Sequence, residues 1–290
     1  MLAGFQACST SHVVARLITT GCMPWERAQT FVPMSSRVLR ILALASTLGC
    51  LGVDGPAGPT LSAREGRPVL FVGNSLTYYN DLPLIVEALA DSVPGLTPAQ
   101  RLSVAMAAYP DFALYDHWAD GNAVRAIDNK TEWDVVILQQ GSSALEESRV
   151  LLRDWTKRFD EKIRGAGART AMYAVWPNAA RQFDFDRVNE SYTLAATDVG
   201  GMLFPVGETW RAAWRRNANL ALYSSDGLHP TVSGSYAGAL VITSMLLDRS
   251  PIGMPARLRL RSGATISIPA ADAAILQQAA AEAIEKFGKR

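Results

Sequence analysis

From residue 67 onward the chain alternates between short apolar runs and longer stretches with helical spacing. Residues 68–72 (PVLFV) form the first run and end at Gly73. Residues 102–106, 134–138 (DVVIL), 170–175 (TAMYAV) and 202–206 repeat the pattern, and DVVIL is rich in the branched side chains that suit a pleated surface. Between them, residues 82–90 carry a 3.6-residue period, with Asp81 placed as N-cap and Pro83 in the first turn. Residues 113–127 read as an interrupted helix, 150–164 as an amphipathic one, and 185–196 and 208–216 as two more. Residues 232–247 are apolar almost all round, and residues 270–287 close the chain as a helix. Continuous apolar strands separated by helices predict an α/β protein: a three-layer α/β/α sandwich whose short parallel central sheet is covered on both faces. Ligands of such sheets sit beyond the carboxyl ends of the strands. The places to look for chemistry are therefore just after Val72, Met106, Leu138 and Val175.

The N-terminal part follows another logic. After Met34 come Arg37 and Arg40, then an apolar run over 41–51 that ends in small residues. That is the layout of a secretory signal over residues 34–52, too short to span a bilayer comfortably. Residues 53–66 then read as a linker and 67–290 as the folded domain. The stretch Thr47-Leu48-Gly49-Cys50 resembles a bacterial lipoprotein cleavage site, although Leu is usual where Thr47 stands. Cys50 is thus a candidate for lipidation, and the expected location is secreted, periplasmic or envelope-anchored. A secretory signal normally begins a chain, so Met34 is the expected start and residues 1–33 an extension, non-native or disordered.

Composition removes several functions. Basic and acidic residues nearly balance, 28 against 27, with no long run of one sign, so nucleic acid is not an expected partner. The cysteines are Cys8, Cys22 and Cys50, which leaves the domain with neither a disulfide nor a cysteine metal cluster. Histidine occurs only as His12, His117 and His229, too few for a zinc site of several imidazoles. No metal or organic cofactor is expected.

The first strand end holds Gly73-Asn74-Ser75-Leu76-Thr77. A serine on a tight strand-to-helix turn can project its hydroxyl into the cleft, but serine is a weak nucleophile without a base within hydrogen-bond reach. His117 sits within a helical pattern, where a packed histidine is the usual explanation. His229 follows Asp226 across Gly227 and Leu228. This spacing lets the carboxylate curl back to Nδ1–H and leaves Nε2 to take a proton from serine.

The early Gly73-Asn74-Ser75-Leu76 block and the late Asp226-x-x-His229 block together resemble the SGNH or GDSL-type hydrolases, over about residues 67–247. The resemblance implies the short-sheeted flavodoxin-like fold of that family. It also implies a serine esterase working through an acyl-enzyme, with Ser75, His229 and Asp226 as triad. The family's second block normally gives an oxyanion-hole glycine N–H; here the chain reads Ala107-Ala108-Tyr109-Pro110-Asp111-Phe112, and Pro110 has no N–H to give. A backbone donor near Ala108 or Asp111 is the expected substitute. The third block normally gives an Asn amide; here Gln139 or Gln140 stands in its place, Gln139 first, with Ser75 N–H completing the hole. Trp176 and Asn178 after the fourth strand, and Tyr78 beside the nucleophile (with Tyr79 and Asn80), are candidates for contacting a carbohydrate or acyl group. An O-acetylated carbohydrate is the favoured substrate; a weakly catalytic carbohydrate-binding relative is the alternative, motivated by the two altered blocks.

Overall fold

The computed structural model describes residues 64–129 and 132–289. The signal (34–52), Cys50 and the 1–33 extension lie outside them, as does the linker up to residue 63. Five strands form the main sheet: β1 (Arg67–Gly73), β2 (Leu102–Ala108), β3 (Val135–Leu138), β4 (Arg169–Tyr173) and β5 (Met202–Phe204). They are all parallel, in the order β2-β1-β3-β4-β5. The three-layer α/β/α architecture expected from the alternating pattern is present. Beyond their first residues the inner strands are buried, over 69–73, 135–138 and 170–173, which is why their sequences read as largely apolar runs.

The helices are α1 (Ser75–Tyr78), α2 (Leu82–Asp91), α3 (Leu114–Asp120), α4 (Asn122–Asp128), α5 (Glu146–Gly165), α6 (Phe185–Val199), α7 (Val206–Arg216), α8 (Val232–Leu247) and α9 (Ala270–Phe287). One layer is made by α2, α8, α9 and α7, the other by α3, α4, α5 and α6. Gly121, at φ +80°, separates α3 from α4 and is the interruption expected in that stretch. Asp81 does occupy the N-cap position of α2, but at φ +56° and without a capping hydrogen bond, so it differs from the expected cap. Nearly all of α8 is buried, between α2 and α9, in keeping with its uniformly apolar surface. Thr231 caps it by accepting from Gly234 N–H at 3.1 Å. A small antiparallel hairpin, β6 (Arg257–Arg259) with β7 (Thr265–Ser267), precedes α9 and was not expected from the sequence. Among the described residues, no helix is long and apolar enough to cross a membrane.

The order β2-β1-β3 sets the position of the site. The chain leaves β1 toward β2 on one side and later returns to β3 on the other. A crevice therefore opens at the carboxyl ends of β1 and β3. Asn74-Ser75 follows β1 and Gln139-Gln140 follows β3.

Candidate active site

The turn after β1 is tightly specified. Asn74 has extended backbone and caps α1, its Oδ1 accepting from Leu76 N–H at 3.1 Å. Gly73 cannot be replaced without disruption: a Cβ there would run into Thr77 Oγ1 and Gln139 Oε1. Its carbonyl accepts from Tyr109 N–H at 3.2 Å and from His117 Nε2 at 2.7 Å. A carbonyl only accepts, so Nε2 of His117 carries the proton. His117 is fully buried, Nδ1 has no partner, and burial pushes its pKa down, so the ring is held neutral as a brace beneath the nucleophile turn.

Ser75 opens α1, where backbone N–H groups have no intrahelical partner. Its Oγ lies 2.8 Å from His229 Nε2, and His229 Nδ1 lies 2.6 Å from Asp226 Oδ2. Asp226 accepts only, so Nδ1 carries hydrogen and Nε2 is free to accept from the serine hydroxyl. The other carboxylate oxygen, Oδ1, accepts from Leu228 N–H at 2.8 Å, His229 N–H at 2.9 Å and Ser224 Oγ at 2.8 Å. The Leu228 N–H first, then the His229 ring, hold the Asp226 carboxyl well below the usual carboxylate range. Gly227, at φ +69°, makes the turn that lets Asp226 reach back.

The loop carrying the base is anchored from the fourth strand end. Trp176 Nε1 donates to Leu228 O at 2.9 Å, Tyr223 Oη to Pro177 O at 2.6 Å, and Ala179 N–H to Gly227 O at 2.8 Å. Trp176 itself is fully buried and stacks on Trp210 with ring centroids 3.7 Å apart. It therefore cannot floor a sugar, and the expectation that it touches substrate is corrected: it holds the base loop. Asn178 is half-buried on the rim, its Oδ1 capping the following turn through Ala180 N–H. Tyr78 is half-buried beside Ser75.

The two glutamines are engaged elsewhere. Gln139 Oε1 accepts from Asn74 N–H at 2.9 Å and Thr77 Oγ1 at 2.7 Å. Its Nε2 donates to Asn74 Oδ1 at 2.9 Å and to Gln140 O. Both amide hydrogens are used, so Gln139 has none left for an oxyanion. This corrects its expected role: it is the bracket that locks Asn74 and hence the turn bearing Ser75. Gln140 points the other way, its Oε1 accepting from Leu114 N–H at 3.1 Å and its Nε2 donating to Ser143 Oγ at 2.9 Å. We predict that Gln139→Ala unfolds at lower temperature and loses activity together, because it strands two buried groups of the nucleophile turn, Asn74 N–H and the Thr77 hydroxyl. A melt and kinetics on one preparation test this. A variant with wild-type melting but a kcat lowered about a hundred-fold would instead return the amide to the oxyanion.

The second-block turn holds a backbone alternative. Tyr109 to Phe112 form a turn with Phe112 N–H to Tyr109 O at 3.4 Å, Pro110 second and Asp111 third at φ +60°. Proline followed by a positive φ is the signature of a type II turn, whose third position glycine usually fills. Asp111 is exposed and takes the left-handed conformation that the absent glycine would provide. Asn74 Nδ2 donates to Phe112 O at 3.0 Å, which fastens this turn to the nucleophile loop.

No family model matches the sequence, and no curated protein does. Solved structures do. A candidate SGNH hydrolase from Slackia heliotrinireducens matches at 27% identity and TM-score 0.51, covering 62% of this chain and 98% of that one. A DUF4886 family protein from Bacteroides uniformis matches at 19% identity and TM-score 0.61, covering 77% of this chain and 96% of that one. With its parallel five-stranded sheet and the likeness to the Slackia protein, the chain belongs to the SGNH/GDSL hydrolase superfamily.

Proposed function

We propose that this protein is an exported serine esterase that cleaves carboxylic esters through an acyl-enzyme. The observation that carries the reading is the continuous relay from Ser75 Oγ to His229 Nε2 at 2.8 Å and from His229 Nδ1 to Asp226 at 2.6 Å. Ser75 Oγ attacks the ester carbonyl carbon while its proton passes to His229 Nε2. The resulting imidazolium, steadied by Asp226, gives that proton to the leaving alcohol. Water then attacks the acyl-Ser75 and loses a proton to His229, which returns it to Ser75 Oγ as the acyl–oxygen bond breaks and the carboxylic acid departs. The oxyanion is held by Ser75 N–H and by Asp111 N–H in the 109–112 turn. A hole of backbone donors suits a site whose glutamine amides are engaged elsewhere.

The leaving alcohol must lie beside His229, which protonates it. That side is open: the His229 and Asp226 side chains are 20% and 45% exposed. An open leaving-group side accommodates a bulky polar alcohol, which favours O-acetylated carbohydrates as the substrate class. Nitrophenyl esters of increasing acyl length, run beside acetylated sugars, test this. Turnover should be best for acetyl and extend to the sugars. Binding of sugars without any turnover would instead support the alternative, a catalytically weak carbohydrate-binding relative, which the engaged Gln139 and Gln140 amides keep in view.

Export rests on the signal-like residues 34–52. The exported protein is expected to lack everything up to about Cys50, and mass spectrometry of the mature N-terminus reads it directly. Intact residues 1–33 on the mature protein would defeat both the export reading and Met34 as start.

A further inference from the structure

Behind the nucleophile the backbone is unusual. Asn80 and Asp81 have φ of +54° and +56°, two consecutive left-handed residues without a glycine. Two such residues in succession persist where their surroundings fix them. What fixes this bend is the base segment. Asn80 Nδ2 donates to Pro230 O at 3.0 Å, one residue past His229, and to Ser235 Oγ at 2.9 Å. Ser235 Oγ in turn donates to Tyr79 O at 3.4 Å. The strained bend thus latches the segment after Ser75 to the segment after His229.

The latch places Tyr79 face to face with the base. The Tyr79 ring lies on the His229 imidazole with centroids 4.0 Å apart and planes inclined by 11°. His229 is held otherwise by two in-plane contacts, Ser75 at one nitrogen and Asp226 at the other. Two contacts at opposite ends of a ring leave it free to roll about the line joining them, and a flat partner on one face removes that freedom. The face of an aromatic ring also carries negative potential, so it favours an imidazolium over a neutral imidazole. Imidazolium forms only as Ser75 gives up its proton, so this contact is stronger in the transition state than before it. Among the described residues, the ionisable groups facing His229 are Asp226 on its own loop and Tyr79 from the nucleophile side. Tyr78 stands beyond Tyr79 at 6.0 Å between centroids, with Asp111 near it.

We propose that Tyr79 is a positioning residue for proton transfer at this site: its ring clamps the His229 imidazole in the plane that joins Ser75 to Asp226, and Asn80 is the latch that keeps the ring there. The inference rests on the serine-esterase reading, so its test uses a probe that needs no knowledge of the ester. A fluorophosphonate reacts with an activated serine by forming a bond from Ser75 Oγ to phosphorus. Fluoride leaves with the phosphorus–fluorine bond pair, and the serine proton passes to His229 Nε2. The rate of labelling against pH should rise to a plateau as His229 becomes neutral. Tyr79→Leu is expected to lower the plateau about ten-fold. Tyr79→Phe keeps the ring face and should restore it, and Asn80→Ala should slow labelling as Tyr79→Leu does. A Leu variant with the wild-type rate overturns the proposal. So does a Phe variant as impaired as Leu. If the wild-type protein is not labelled at all, the esterase reading falls and takes the clamp with it. A labelled wild type with an unaffected Leu variant removes the clamp alone.

Discussion

Replacing Ser75 with alanine should remove ester hydrolysis while leaving the fold intact. The change deletes the one oxygen within 2.8 Å of His229 Nε2 and keeps the backbone N–H, the Asn74 cap and the Gln139 bracket. Loss of a triad nucleophile typically lowers kcat by on the order of 10⁴ to 10⁶. The melting temperature should move by only a few degrees, since a small hydroxyl is lost and no large buried group is stranded. Turnover on a nitrophenyl ester and a thermal melt of the same sample check both halves. If the variant kept more than a few per cent of its activity, the nucleophile would have to be sought elsewhere. Ser142 and Ser143 are poor substitutes: their hydroxyls donate to the Trp176 and Gly141 carbonyls rather than to a histidine.

His229→Ala should be nearly as severe and should also erase the acid limb of the pH profile. The wild-type rate falls as pH drops because an imidazolium cannot accept the Ser75 proton. Asp226, held well below the usual carboxylate range, stays ionised across the working range and adds no limb of its own there. His117→Ala should do the reverse: the acid limb stays and stability is lost, about 1 kcal/mol or more, because the Gly73 carbonyl keeps only its Tyr109 N–H partner and a buried ring is removed. His117 also makes the wild type acid-sensitive. Its folded pKa is pushed below its unfolded one, so the unfolded chain binds the proton first, and stability falls as pH drops below about 6.5. That contribution disappears in His117→Ala. Kinetics and melts of the two variants between neutral and mildly acidic pH distinguish the roles, and an acid limb lost with His117 instead of His229 would reverse the assignment.

Much of the fold was legible because burial on both faces leaves a simple trace. Val69 to Val72 and Val135 to Leu138 are apolar without alternation, since no side of an inner parallel strand meets water. The helix over Val232–Leu247 coincides with its apolar run, ended by Asp248, and Ala270–Phe287 is as clear. The hairpin of β6 and β7 escaped because three-residue strands give too few turns of a period-two pattern to stand out. Arg257, Leu258 and Arg259 alternate, but no further. The site divides in the same way. Ser75 and the Asp226–His229 pair could be singled out because a strand end and a three-residue spacing made them candidates and the two blocks together resemble those of the SGNH or GDSL-type hydrolases.

What the sequence by itself determined is therefore the layered architecture and the identities of the three residues that meet in the relay. The first follows from patterns repeated over a few neighbours along the chain, the second from two short blocks whose combination resembles a known family. What only the tertiary structure decided is the duty of the residues around them. Gln139 and Trp176 are polar or aromatic side chains at strand ends, and a string of letters cannot say which way such a side chain turns. Packing turns Gln139 onto Asn74, 65 positions away, and buries Trp176 against Trp210 beneath the base loop. Likewise nothing in Pro110-Asp111 announces that Asp111 takes the left-handed conformation of a missing glycine, or that Tyr79 lies flat on a histidine 150 residues later. Those assignments depend on contacts between segments far apart in the chain, and long-range contacts exist only once the sheet has brought the strand ends together.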